Sequence, residues 1–256
     1  MKNKQFLELL AYQVRSNLSA ETSRYALSYL WWIVEPALHL GILYVVFGIF
    51  FGGNQDPSFF PFLFCGLVPW FWFSKSVTNS LSSIESGKNI IRDVDIKKHF
   101  FPLVSVFKDT IKEILVFSIL FILLILNGIS PSIYWLQLIP LVLLQLLFIT
   151  VISLFVAIII PYFLDLKHFI LTALQLAMFS AGTFYDYKTM PSVYHIFFEY
   201  NPITLLVNMY RDALLYQKVI EARDYVYILL FIVCIGMLDY FTYKKLDKDI
   251  PRVLYK

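Results

Sequence analysis

Apolar runs, each approaching the roughly 20 residues that cross a bilayer, alternate along the chain with short polar breaks. The pattern predicts six membrane-spanning helices, at residues 31–51, 59–77, 104–126, 134–160, 169–185 and 225–243. The third is the least apolar at its start, where Lys108, Asp109, Lys112 and Glu113 occupy the first turns. Those turns are expected to project into the cytoplasm or to snorkel toward it. Ahead of the first span, Phe6, Leu10, Val14 and Leu18 recur at every fourth position with Leu7 alongside, while Glu8, Gln13, Arg15 and Asn17 take the other positions. That is the period of an amphipathic helix lying along a membrane face, over residues 1–26. This arm lacks the continuous apolar core and small-residue cleavage site of a signal peptide, so it is expected to stay attached.

Two breaks carry more aliphatic surface than solvation needs. Residues 82–102 hold Glu85, Lys88, Arg92, Asp93, Asp95, Lys97 and Lys98, but also Ile84, Ile90, Ile91, Val94 and Ile96. A solvated loop and a short amphipathic helix that docks a soluble partner both fit this pattern. In residues 186–224, Val193, Ile196, Phe197 and Tyr200 share one helical face, and Ile203, Leu206, Val207, Tyr210 and Leu214 share another. Two short helices re-entering the membrane from outside fit better than an aqueous loop. Pro202 lacks an N–H and biases Asn201 away from helical angles, so the chain should turn between them. Arg211, among Leu205, Leu206, Val207 and Met209, needs a partner, and Glu199, Asp212 or a phosphate could supply one.

Composition agrees with the membrane reading. Of the 256 residues 59% are hydrophobic and only 15% charged, and mean hydropathy is +0.70, far from a soluble domain. The fold class expected is an all-α polytopic membrane protein forming one domain over residues 1–256. An even number of spans puts both termini on one side. With both inside, all but four of the 21 basic residues lie inside, the exceptions being Lys188, Arg211, Lys218 and Arg223. The positive-inside rule therefore places both ends in the cytoplasm. The same asymmetry accounts for the basic pI, and no basic patch interleaved with exposed aromatics points to nucleic acid.

Little in the chain suggests chemistry of its own. His39, His99, His168 and His195 lie in scattered contexts, and no paired carboxylates, His-Asp pair or metal-ligand cluster emerges. That argues against a membrane enzyme acting on lipid-linked sugars, the rival from another class. Asp239 reads as a lone structural hydrogen-bonder, and Glu35, beside Pro36, as a carboxylate facing protein or water. Trp31 and Trp32 suit headgroup depth. Cys65 and Cys234 both fall within spans, so no disulfide framework is implied. No G-x-x-x-x-G-K-[ST] loop is present; the nearest approach, Gly87-Lys88-Asn89, lacks the upstream glycine and the Ser/Thr.

Five features taken in order resemble a family. They are the amphipathic arm, the Leu-x-x-Leu-Trp and Glu-Pro pattern of residues 27–36, and Gly-Leu-x-Pro-Trp-x-x-Phe from Gly66 to Phe73. Asn89 and Ile91 followed by Phe101-Pro102, and Tyr200-Asn201-Pro202 followed by Arg211, complete the series. Together they resemble the permease subunit of bacterial polysaccharide-export ATP-binding-cassette transporters, which export lipid-linked O-antigen, capsule and teichoic acid. One departure is the turn before the fifth span, where Leu164, Asp165 and Leu166 replace the Arg-Asp-Ile frequent in that family.

The resemblance implies a homodimeric, multi-pass permease of the inner membrane that carries a lipid-linked polysaccharide, O-antigen foremost. It implies no cofactor in this chain, with ATP and Mg bound by two copies of a separate nucleotide-binding ATPase. In the 82–102 loop Asn89, Ile91, Val94, Phe101 and Pro102 would couple to that ATPase. Trp70, Phe71, Trp72, Phe73, Phe184 and Tyr185 would contact the glycan, because flat aromatic faces let sugar rings slide. Tyr200, Asn201, Pro202 and Arg211 would form an outer gate in residues 186–224. Teichoic acid, capsule, or a drug or lipid cargo are the alternatives within the same superfamily. A secondary transporter is disfavoured by the lack of inverted, Gly/Pro-broken segments with buried ion ligands.

Overall fold

A computed structural model describes residues 3–24, 30–52, 56 and 58–255, and among these every regular element is helical. Lys2, Lys256 and Leu27, the last being the first position of the Leu-x-x-Leu-Trp pattern, lie outside the described residues. In chain order the helices are α1 (Asn3–Arg24), α2 (Trp31–Leu43, running on as a π-helical stretch Tyr44–Phe50), α3 (Phe59–Leu81), α4 (Ser83–Ser86) and α5 (Lys88–Asp93). There follow α6 (Phe100–Leu126), α7 (Leu138–Ile159), α8 (Leu166–Ser180), α9 (His195–Glu199), α10 (Pro202–Leu214), α11 (Ala222–Leu246) and α12 (Ile250–Leu254).

Among the described residues four helical stretches are long and apolar enough to cross a membrane: Trp31–Phe50, Phe59–Leu81, Ile133–Tyr162 and Ala222–Leu246. α6 is long enough, at 27 residues, but its third and fourth turns carry the four charges noted in the sequence. α8 has 15 residues, about 22 Å of helix against a hydrocarbon core of about 30 Å. Its expected extension to Tyr185 does not form. The helix stops at Ser180 because Gly182 turns the backbone into the left-handed region at φ +66°.

α3 is the centre of the fold. Nearly every side chain from Leu63 to Trp70 is buried, and the helix packs against α6, α7 and α10. Its Pro69 cannot donate to the preceding turn, and the Pro69 carbonyl accepts a hydrogen bond from Gln145 Nε2 of α7 at 2.8 Å. A second, smaller core gathers at the other end of the molecule. There Leu10 and Val14 of α1 meet Ile84, Ile91, Ile96, Phe100, Phe101 and Ile250. The four-residue apolar recurrence in α1 is thus the face that packs, while Leu7 stays exposed.

The charged turns of α6 divide between the interior and α1. Asp109 and Glu113 are only 3% and 8% exposed, because α2 and α3 wall off that side of the helix. Lys108 and Lys112, on neighbouring turns, both reach Glu21 of α1, Lys108 Nζ at 2.7 Å from Oε1.

Candidate functional site

The ends of α3 define two poles, separated by about 30 Å of helix between Phe62 and Ser82 at 1.5 Å per residue. At its C-terminal end the 82–102 loop folds into α4, α5 and an extended link into α6. Ser82 accepts a hydrogen bond from Lys167 Nζ of α8 at 2.7 Å. Gly87 is required by close approach, since a β-carbon there would fall 2.2 Å from the Phe101 ring. The C-terminal α12 closes over this loop. Tyr255 Oη donates to the Lys88 carbonyl at 2.9 Å, the Lys88 ammonium sits 4.7 Å above the Tyr255 ring, and the Lys98 N–H donates to Asp247 at 2.8 Å. Burial and the neighbouring Lys97 hold the His99 imidazole below its ordinary range, with Asp247 opposing.

The five residues expected to couple to an ATPase divide between surface and interior. Val94 is 57% exposed and Asn89 is exposed, whereas Ile91, at 6%, Phe101 and Pro102 are buried in the second core. Of the five, only Asn89 and Val94 are exposed, as is the neighbouring Ile90.

The opposite pole is built around Arg211 of α10. Asn201 is extended (φ −83°, ψ 114°) and its side chain accepts from the Ile203 N–H, while Pro202 takes the first helical turn, where no N–H is needed. α10 buries Leu206, Val207, Tyr210 and Leu214, as its period predicts, whereas Val193, Ile196, Phe197 and Tyr200 around α9 remain exposed.

Arg211 is 2% exposed and pairs neither with Glu199 nor with Asp212. Its guanidinium donates to three backbone carbonyls: Phe62 at 3.2 Å, Gly182 at 2.8 Å and Thr183 at 2.8 Å. It also stacks on the Phe62 ring with its central carbon 3.4 Å from the centroid. The bend at Gly182 turns those carbonyls toward the arginine, an arrangement that leaves no mark in side-chain chemistry. Gly66 admits the guanidinium, because a β-carbon there would lie 2.7 Å from Nη2. The two most specific motifs of the chain, Gly66 to Phe73 and Tyr200 to Arg211, therefore meet in one contact.

The aromatic residues expected along a conduit mostly fill the interior of the single chain. Trp70, Trp72, Phe73 and Phe184 are buried, and Phe184 stacks on Phe47 with ring centroids 4.2 Å apart. Phe71 and Tyr185 are half-buried. Phe71 and Trp72 do face open space, a cleft of about 390 Å³ between α2, α3 and α6 that Trp32, Glu35, His39, Lys75, Asn79, Asp109, Lys112 and Glu113 also line. Sequence reasoning missed this cleft, although Glu35 pointed to it; Glu35 pairs with Lys75 at 2.9 Å across its mouth. Asp239 of α11 departs from its expected role: it is buried, and among the described residues neither carboxylate oxygen has a hydrogen-bond partner. Among the described residues no cluster of three or more potential ligands could hold a metal.

No protein-family model matches the chain. Curated relatives cover most of it. It is 27% identical over 225 residues (88% of this chain and 86% of the relative) to the O-antigen export system permease protein RfbA of Klebsiella pneumoniae. It is 27% identical over 215 residues, 83% and 82% of the two chains, to the protein of the same name from Myxococcus xanthus. It is 26% identical over 214 residues, 81% of each, to the polysialic acid transport protein KpsM of Escherichia coli. The resemblance read from the motifs is thus matched along nearly the whole chain.

Proposed function

We propose that this chain, a permease of the polysaccharide-export type, forms the membrane path through which a lipid-linked polysaccharide, O-antigen foremost, leaves the cytoplasm. The observation that carries this reading is the similarity to O-antigen export permeases from two organisms across more than four-fifths of the chain. Several finer statements belong to the same reading. α6 and α8 complete a set of six spans, both termini are cytoplasmic, and α1 lies along the inner face. The two poles of α3 then fall on opposite sides of the bilayer.

The pole holding α5 and α12 offers the docking surface for a separate ATPase, with Asn89, Ile90 and Val94 outermost. The geometry supports this because α5 is not a free loop: α1, α12 and the start of α6 brace it, so a push on Val94 is passed to the bundle. The pole holding Tyr200, Asn201, Pro202 and Arg211 is the outer gate. Trp70, Trp72, Phe73 and Phe184 are taken up in the interior of the single bundle, which supports a path completed by a second copy. Similarity to a polysialic acid transport protein favours a second reading, in which the cargo is a capsular polymer.

Deleting the gene in its own host tests the function. Lipid-linked polymer should accumulate inside the cell and the surface glycan should disappear, with both restored by the plasmid-borne gene. An unchanged surface glycan would refute the reading.

A further inference from the structure

The cleft between α2, α3 and α6 holds buried polar groups that the bundle itself does not satisfy. Asp109 accepts from Asn79 Nδ2 at 2.8 Å through one oxygen, but its other oxygen has no partner, and neither does Oε1 of Glu113. Both side chains are more than nine-tenths buried, as is Trp72, whose indole N–H also lacks an acceptor. All three line the cleft. Each unmet buried group of this kind carries an uncompensated desolvation cost, so a set of three in one cavity calls for an occupant. Glu113 and Trp72 are also the wall shared with a mainly apolar groove toward α7.

Lys75 and Lys112 lie near enough to act on the two carboxyls through charge, but among the described residues neither forms an ion pair with Asp109 or Glu113. Lys75 is engaged with Glu35, and Lys112 with Glu21 while lying 5.4 Å above the Trp32 ring. What remains is a combination of acceptors and a donor. A metal cation would satisfy the carboxylates and leave the indole N–H unmet. A phosphate would take the indole N–H and offer no donor to the unmet carboxyl oxygens. A hydroxyl both donates and accepts, and the faces of Phe71 and Trp32 beside it suit the C–H face of a sugar ring.

We propose that this cleft binds a short uncharged segment of the glycan, with Asp109 and Glu113 accepting from sugar hydroxyls, Trp72 donating to one, and Phe71 stacking on the ring. The proposal rests on the polysaccharide-export reading and adds a site to it, one that holds sugars through hydroxyls because these both donate and accept. At about 390 Å³ the cleft is near the small end of ligand pockets. It suits a staging site for part of the chain, not the path of the whole polymer.

The test uses the full chain with its ATPase subunit in lipid nanodiscs. Calorimetry measures binding of phosphate-free neutral oligosaccharides released from the exporting cell's own polymer, beside oligomers of sialic acid. Wild type should bind the neutral sugars. Glu113→Gln and Asp109→Asn should each weaken that binding roughly tenfold, the loss of one charge-assisted hydrogen bond. Phe71→Ala, at a half-buried position that keeps the bundle intact, should weaken it as well. Sialic acid oligomers should bind no better than the neutral ones.

No neutral binding by wild type, equal binding by wild type and all three variants, or preference for the anionic oligomer would overturn the proposal; water would then serve the unmet groups. Polymer export measured in the same preparation keeps the two readings apart. Export without oligosaccharide binding removes the cleft and leaves the exporter standing, whereas binding without export removes the exporter.

Discussion

Arg211 rests directly on Gly66: the position a β-carbon would occupy at Gly66 lies 2.7 Å from Nη2 of the guanidinium. Gly66→Ala should therefore push the guanidinium off the carbonyls of Gly182 and Thr183 and lower stability by about 1–3 kcal/mol, the range for overpacking in a tight interior. Arg211→Lys should not restore it, because an ammonium cannot span three carbonyls with a planar fork. Glu199→Gln and Asp212→Asn should leave the melting temperature of the detergent-solubilised protein unchanged, since neither carboxylate holds the arginine. A large shift with Asp212→Asn would mean that an ion pair, not the carbonyl cradle, anchors α10.

Two aliphatic residues three apart in the 82–102 loop should behave oppositely. Ile91 is buried among Leu10, Val14 and Ile250, so Ile91→Asp places a charge in an apolar core and should destabilise by more than about 3 kcal/mol. Val94→Asp, at an exposed position, should leave stability within about 0.5 kcal/mol and instead uncouple ATP hydrolysis by the partner from export. Full export by Val94→Asp at equal expression would remove the docking assignment.

The attachment of α1 should depend on pH through Glu21. Burial alone would raise its carboxyl, but the hydrogen bonds and charges of Lys108 and Lys112 outweigh this and hold it below the ordinary carboxylate range. A depressed folded value contributes stability that is complete above the unfolded value of about 4.3 and is lost as pH falls through the folded one. Proteolysis of α1 in open membranes should rise on acidification below about pH 4 in wild type. Glu21→Gln should show the higher rate already at neutral pH, with little further change.

Asp239 carries a different expectation. A buried carboxyl without a hydrogen bond is a net cost to the fold, so Asp239→Leu should raise the melting temperature, by the equivalent of about 1–3 kcal/mol. If that variant is less stable, Asp239 has a partner the single chain does not contain, and cross-linking at neighbouring positions would identify it.

What the sequence conveyed follows from the range of the forces involved. Run length and period were enough for α2, α3, α7 and α11, and for the packing faces of α1 and α10, because burial follows a local pattern. The burial of Asp109 and Glu113 was not legible because their surroundings are set by α2 and α3, distant in sequence. Ile91 and Val94 are alike in hydropathy, and only the register against α1 and α12 separates inward from outward. The partners of Arg211 were missed because backbone carbonyls are common to every residue. The visible traces were two glycines, Gly66 giving room and Gly182 turning the chain.

The central claim, ATP-driven movement of a lipid-linked polysaccharide by this chain with a separate ATPase, is tested most directly in sealed proteoliposomes carrying both proteins. Lipid-linked polymer is supplied on the ATPase side, and the fraction of glycan accessible to a glycosidase trapped in the lumen is measured. The account predicts lumenal digestion that requires ATP and the permease together and that falls to background with Val94→Asp. Digestion independent of ATP, or equal in vesicles lacking this chain, would contradict it.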